Sequence, residues 1–449
     1  MIGYLARFRQ GALSDKNTAL SQNLIHICWN AIGLAIPLLV AVISIPGLLH
    51  RLGGEVFGLL SLCWALLGYA SIMDLGIGRA VTRKIAQANG QPGSIVVGDL
   101  HVTAVRITIV VSLLGSAIVA LLAQLGAYRA IKFSAALDHE VQQTMFIMAL
   151  VLPLQALSTT YRGINEGLFS FKSVSFIRAF VGATTFLGPW AISLLSSDLR
   201  WLALALLGTR IASMLLYAAA SHRALRNSGN ASGAFSSMGA RELVGFGGWI
   251  TLSALVAPLL VQSDRFVIGA LRSASDVAAY TIPYEMVVQV LVVVGAASTV
   301  AFPYFSRMAS GDRAAFDQSL RRWLVIVSGT MLALLSALGA MLPTLIEIWI
   351  GIEPTSEQVR VGQILCVGVL ANSVGTLLVS HLHANNFARS VCLLLFIETP
   401  IYLTVMGYLI TAYGIVGAAA AWSLRMTVDT TGLIIIYELH RRKAHQKNE

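Results

Sequence analysis

The chain has 449 residues, 56% of them hydrophobic and only 12% charged, with a formal net charge of +10. Soluble domains carry roughly 25% charged residues, so most of this chain belongs where charge is expensive, and a soluble fold is excluded. The positive excess does not indicate nucleic acid, because no basic patch with interleaved aromatics lies outside the loops, and no connecting segment is long enough to fold as a catalytic domain.

The apolar residues come in long runs, and roughly 18–20 of them in a row span the hydrocarbon core as a helix. A polar N-terminal stretch with Arg7, Arg9 and Lys16 precedes the first run, at about 24–49, which is too long for a signal-peptide core and is expected to be retained. The runs that follow are expected as spans at 54–75, 102–127, 144–162, 174–196, 201–220, 249–270, 281–303, 323–348, 361–383, 391–410 and 415–437, giving twelve in all. The four cysteines, Cys28, Cys63, Cys366 and Cys392, lie inside these runs with no metal-site spacing, and are expected as small buried thiols. Neither a metal nor a cofactor is expected.

An even number of spans puts both termini on one side. About twenty Lys and Arg residues fall on the side of the termini and about six on the other, so the positive-inside rule places both ends in the cytoplasm. The longest connection, 221–248, is Ser/Gly-rich and divides the chain into an N-terminal lobe at 1–220 and a C-terminal lobe at 249–449.

The two halves carry a weak internal repeat. Pro37-Leu38-Leu39-Val40 recurs as Pro258-Leu259-Leu260-Val261, and at the same offset Arg51 meets Arg272, Glu55 meets Asp276 and Val56 meets Val277. Arg210 and Arg425 sit mid-helix in spans six and twelve. Six spans per half give both halves the same orientation, hence a pseudo-twofold axis along the membrane normal and a site between the lobes.

A charge at a helix centre costs about 2.5–3.5 kcal/mol on insertion scales, yet Arg106, Arg178, Arg210, Arg265 and Arg425 are kept, as are Asp74, Asp264, Glu285, Glu398 and Asp429. Arg106 and Arg178 lie about a turn from the cytoplasmic helix ends and can snorkel. Asp74 reads as a turn residue, and Glu285 as a group reaching solvent. Arg210 and Arg425 are central and are expected to face a water-filled cavity, with an Arg425–Asp429 i,i+4 salt bridge as the alternative. Guanidinium groups suit phosphate through bidentate hydrogen bonds, so the five arginines are the expected anion site. Glu398, two residues before Pro400, and Asp264 are candidates for a coupling proton or cation, with Asp429 behind them. Hydrogen bonding of Glu398 to backbone freed by Pro400 is the competing expectation.

Several stretches now carry a resemblance: Arg51-Leu52-Gly53-Gly54-Glu55-Val56-Phe57-Gly58, Asp74-Leu75-Gly76-Ile77-Gly78-Arg79-Ala80, Arg162-Gly163-Ile164-Asn165-Glu166-Gly167, Asp264-Arg265-Phe266-Val267-Ile268-Gly269 and Tyr413-Gly414-Ile415-Val416-Gly417. In their order and spacing the chain resembles the Wzx-type polysaccharide and O-antigen flippases of the superfamily that also holds multidrug (MATE) antiporters. The resemblance implies an all-α protein of two six-helix lobes in the inner membrane. It implies an undecaprenyl-pyrophosphate-linked oligosaccharide, moved to the periplasmic leaflet and coupled to protons or sodium, with a polysaccharide polymerase and chain-length regulator as neighbours. A drug/cation antiporter of the same fold is the first rival, disfavoured by the arginines. A membrane enzyme of glycan assembly is disfavoured by the short loops, and a non-transporting scaffold is left open.

Overall fold

The computed structural model describes residues 2–69, 76–88, 97–227, 233–237, 239–240, 243, 248–295, 297–298, 313–384 and 387–445. Asp74 and the 228–232 part of the long connection lie outside them. The described residues are helical almost throughout and contain no strand. The helices are α1 (Ile2–Tyr69), α2 (Ile77–Ala88), α3 (Val97–Gln124), α4 (Asp138–Gly167), α5 (Phe171–Ser193), α6 (Leu199–Asn227), α7 (Gly248–Leu271), α8 (Ala274–Val288), α9 (Arg313–Ile350), α10 (Ser356–Ala384) and α11 (Ala388–His445).

Two of these helices are each two spans joined at a glycine. α1 breaks at Gly53, with φ of 72°, and α11 breaks at Gly414, with φ of 61°. Only a residue without Cβ enters that backbone region cheaply. The breaks fall where the sequence separates spans one and two and spans eleven and twelve. Among the described residues, eight helical stretches are long and apolar enough to cross a bilayer, among them 35–69 and 389–439, which contain these breaks. Counting the broken ones as pairs, and adding α5 and α7, recovers the twelve expected crossings.

Several helices begin ahead of the expected bounds, and two elements show why. The stretch after span two is a short amphipathic helix, α2, rather than a loop. Ile77, Val81 and Ile85 are buried against its neighbours, while Arg79 and Arg83 stay exposed. α8 begins at Ala274, ahead of the expected 281, because Ser273 caps it. The Ser273 hydroxyl oxygen accepts from the Asp276 N–H at 3.0 Å, satisfying one of the orphan donors of the first turn.

Helix packing sorts the chain into two groups. α2 to α6 pack on one another and on α1, and α7 to α11 pack among themselves. Among the described helices, α1 makes the main packing between the groups, touching α7, α8 and α9. Inside lipid there is no hydrophobic force between helices, so close packing must hold them together. The outward faces are apolar in consequence: Val110, Leu113, Leu114 and Ile118 of α3 are exposed, as a lipid-facing belt requires.

Among the described residues, contacts between the groups gather at one end. Gly58 lies so near Ala274 that a Cβ would stand 1.7 Å from the Ala274 carbonyl oxygen. The connection after α3 reaches across: the Lys132 N–H donates to the Gly269 carbonyl at 2.8 Å, and the Ala274 N–H donates to the Lys132 carbonyl at 3.0 Å. His50 hydrogen-bonds the Ile350 carbonyl, and Trp349 Nε1 donates to the Val42 carbonyl at 2.6 Å. At the same end the Arg129 guanidinium donates to the Asp138 carboxylate at 3.0 and 2.9 Å.

Candidate functional site

Two adjoining cavities hold five of the charged residues that the apolar helices carry inward: Arg162, Arg178, Arg210, Arg265 and Glu285. The larger, about 300 Å³, lies within the N-terminal group between α1, α4, α5 and α6. Arg162, Arg178 and Arg210 line it, with Gln155, Ser158 and Thr159. The smaller, about 200 Å³, lies between the two groups, walled by α1, α5 and α6 on one side and by α7 and α8 on the other. Arg210, Arg265 and Glu285 line it. The two cavities share Thr185, Phe186 and Arg210.

Arg210 therefore sits at their junction. It lies eleven residues into α6 from Leu199, so roughly 16 Å along the helix axis at 1.5 Å per residue. The residue is 8% exposed, Nη2 donates to the Thr185 hydroxyl at 2.9 Å, and Nε makes no hydrogen bond among the described residues. A buried guanidinium with a donor unused carries a desolvation cost, and an anion in either cavity would offset it.

Arg265 is placed differently. It is 5% exposed, donates to Glu285 Oε1 at 2.6 Å, and stacks 5.2 Å from the Tyr284 ring centroid. Glu285 is held in turn by Gln289 Nε2 at 3.1 Å. The expectation that Glu285 reaches only solvent is thus corrected: it faces Arg265 across the smaller cavity. Asp264, fully buried, points elsewhere, as adjacent residues on a helix must. It accepts from the Tyr280 hydroxyl at 2.9 Å and from the Arg265 N–H at 2.8 Å.

Arg178 and Arg162 share one carboxylate, each 3.6 Å from Glu166 Oε1. Arg162, the last residue of the fourth expected span, was not among the candidate site residues, yet it lines the larger cavity. Its i,i+4 relation to Glu166 was the available signal. Arg106 is exposed on α3, 5.9 Å from the Phe235 ring of the segment that leads to α7, and lines neither cavity.

Arg425 also lines neither cavity. It lies eleven residues past the Gly414 break, the same depth as Arg210 past Leu199. Its guanidinium stacks 5.3 Å from the Tyr402 ring centroid, and Nε and Nη1 make no hydrogen bond. No Arg425–Asp429 ion pair forms among the described residues, although the two groups are within electrostatic range. Glu398 shares that range with both; it is 5% exposed, and neither carboxylate oxygen is hydrogen-bonded among the described residues. The backbone bond expected beside Pro400 is absent. Glu398, Arg425 and Asp429 thus form a second charged cluster, confined to the C-terminal group, while Asp264 lies beside Arg265.

Comparison with known proteins gives a consistent picture. The family described as "Polysaccharide biosynthesis protein" matches residues 26–309. The chain is 28% identical over 414 residues to a Shigella flexneri protein named "Putative O-antigen transporter", covering 91% of this chain and 96% of that one. Its fold is similar to the lipid II flippase MurJ in an inward closed conformation, with TM-score 0.72, 12% identity, and 92% and 87% of the two chains covered. It is also similar to an inward-facing multidrug resistance MATE family transporter of the MOP superfamily, with TM-score 0.70, 13% identity, and 93% and 99% covered.

Proposed function

The chain belongs to the polysaccharide biosynthesis protein family, and from that membership we propose that it is a flippase carrying a lipid-linked oligosaccharide across the membrane by alternating access. The observation that carries this reading is the smaller cavity, where Arg210 of one helix group and Arg265 of the other face one space. Two guanidinium groups on separately moving bodies can grip a diphosphate between them and release it when the bodies part. The lipid tail stays in the bilayer throughout, so only the headgroup needs a polar path.

Undecaprenyl-pyrophosphate-linked oligosaccharide is the proposed substrate, moving from the cytoplasmic to the periplasmic leaflet of the inner membrane. The lobes are proposed at 1–220 and 249–449, with 221–248 as a cytoplasmic linker and both termini cytoplasmic. In that orientation the contacts made by Gly58, Lys132 and His50 close the lobes at the periplasmic end. Arg178, Arg106 and Arg425 are proposed as further attractors of the anion along the route. Glu398 and Asp264, with Asp429, are proposed to bind the coupling proton or sodium ion. Polymerase and chain-length regulator are proposed to receive the product. A cationic drug would meet the uncompensated charge of Arg210, which favours an anionic substrate over an antiported drug.

Reconstitution tests the reading. Proteoliposomes loaded with undecaprenyl-diphosphate-linked oligosaccharide on one leaflet should expose the glycan on the other in the presence of the protein. Movement equal to that of protein-free liposomes would refute it.

A further inference from the structure

The larger cavity differs in chemistry from the smaller one. Two of its three arginines already share Glu166, which makes it a poorer home for a second dianion. The rest of its polar wall is hydroxyl and amide. The Ser158 hydroxyl donates to the Leu154 carbonyl at 2.7 Å, and the Thr159 hydroxyl donates to the Gln155 carbonyl at 3.1 Å. Their protons are thus committed to the helix, and their oxygen lone pairs remain available as acceptors. Gln155 Oε1 is buried without a hydrogen bond, as is Arg162 Nε, which is ion-paired but not hydrogen-bonded. Acceptors and donors are therefore both in place, and some are unspent. Pro37 and Val181 supply an apolar side.

A wall of this kind suits a ring that carries hydroxyls at its edge and C–H bonds on its face. We propose that the cavity between α1, α4, α5 and α6 is a sugar subsite that receives the first pyranose of the headgroup, with Arg210 at the junction between sugar and diphosphate. This rests on the flippase reading above and adds to it where the glycan is recognised. A volume of about 300 Å³ is at the small end of ligand pockets, so it takes one or two sugar rings and not the whole oligosaccharide. The subsite reads the sugar next to the diphosphate and leaves the distal glycan unread. A hydrogen-bonding site rejects ligands that leave its polar groups unpaired, so Gln155 and Thr159 are the specificity-determining residues.

The test uses full-length protein in nanodiscs and short-chain soluble probes: farnesyl diphosphate, and farnesyl diphosphate linked to glucose, galactose, N-acetylglucosamine or N-acetylgalactosamine. At least one sugar-bearing probe should bind about tenfold tighter than farnesyl diphosphate. Gln155→Leu and Thr159→Val, both close in size to the residues replaced, should each erase that advantage and leave farnesyl diphosphate binding unchanged. Two variants are used so that a folding failure in one leaves the other decisive. If no sugar-bearing probe binds tighter, or if both variants weaken all probes by the same factor, the subsite is refuted. If Arg210→Ala leaves farnesyl diphosphate binding intact while the sugar advantage persists and responds to Gln155→Leu, the diphosphate assignment falls and the sugar subsite stands.

Discussion

Arg210 of α6 and Arg265 of α7 line one cavity from opposite helix groups, but only Arg265 has a carboxylate against it. Arg265 gives Nη2 to Glu285 at 2.6 Å, whereas Arg210 gives Nη2 to the neutral Thr185 hydroxyl at 2.9 Å. The two guanidinium groups are therefore unequal. Arg210 presents a full charge to the cavity, and Arg265 must be drawn from Glu285 before it can serve an anion.

Replacing Arg210 should accordingly cut export sharply. Loss of a charged hydrogen-bonding group is worth about 1.5–3 kcal/mol, so Arg210→Ala should lower translocation by roughly ten- to a hundredfold with membrane levels near wild type. Arg210→Lys should recover only part, because the planar fork is lost. Arg425→Ala is expected to behave likewise. Full activity in both alanine variants would remove the anion site from the proposal.

The pairing of Arg265 with Glu285 makes an opposite prediction for the carboxylate. Glu285→Gln removes the competitor of an incoming diphosphate, so farnesyl diphosphate should bind about tenfold tighter while turnover falls, because release becomes harder. Titration in nanodiscs alongside translocation in proteoliposomes measures both. Weaker binding in Glu285→Gln would show that Glu285 positions Arg265 rather than competing for it.

Gly54 and Ser275 offer a lock on the lobe contact. A Cβ at Gly54 would stand 3.8 Å from Ser275 Cβ, within the Cβ separation of a disulfide. In a background with Cys28, Cys63, Cys366 and Cys392 replaced, Gly54→Cys with Ser275→Cys should cross-link under oxidation and stop translocation, and reduction should restore it. Undiminished transport by a fully cross-linked protein would mean that this contact does not open during the cycle.

Glu398 is the sharpest candidate for coupling, being buried with neither oxygen hydrogen-bonded. Glu398→Gln should transport at the same rate with and without an imposed proton or sodium gradient, whereas the wild type should accelerate. The same gradient dependence in the variant would exclude Glu398 as the coupling group.

Membrane topology is testable without purification. Reporter fusions near Ala127, Ser197 and Gly351 should report the periplasm, and fusions near Asn230 and Asn386 the cytoplasm. A periplasmic signal at Asn230 would overturn the orientation and the parallel arrangement of the halves.

The sequence by itself determined the spans and the two glycine breaks, because the cost of exposing polar backbone to lipid leaves long apolar helices as the solution. Gly53 and Gly414 stood in the connections that the apolar runs left between them. It also named the arginines and carboxylates that had to face something other than lipid. What each faces was decided only by tertiary structure. Arg162, not among the candidate site residues, lines the larger cavity; Glu285, read as solvent-bound, pairs with Arg265; Arg106 and Arg425, grouped with Arg210 by their type, line neither cavity. A soluble helix announces its buried face by alternating apolar and polar sides. A helix in lipid is apolar all round, so its sequence carries little record of which side meets a neighbour. The choice belongs to the packing of whole helices: α6 packs on α4 and α5, and the Thr185 hydroxyl of α5 receives Arg210 where the two cavities meet.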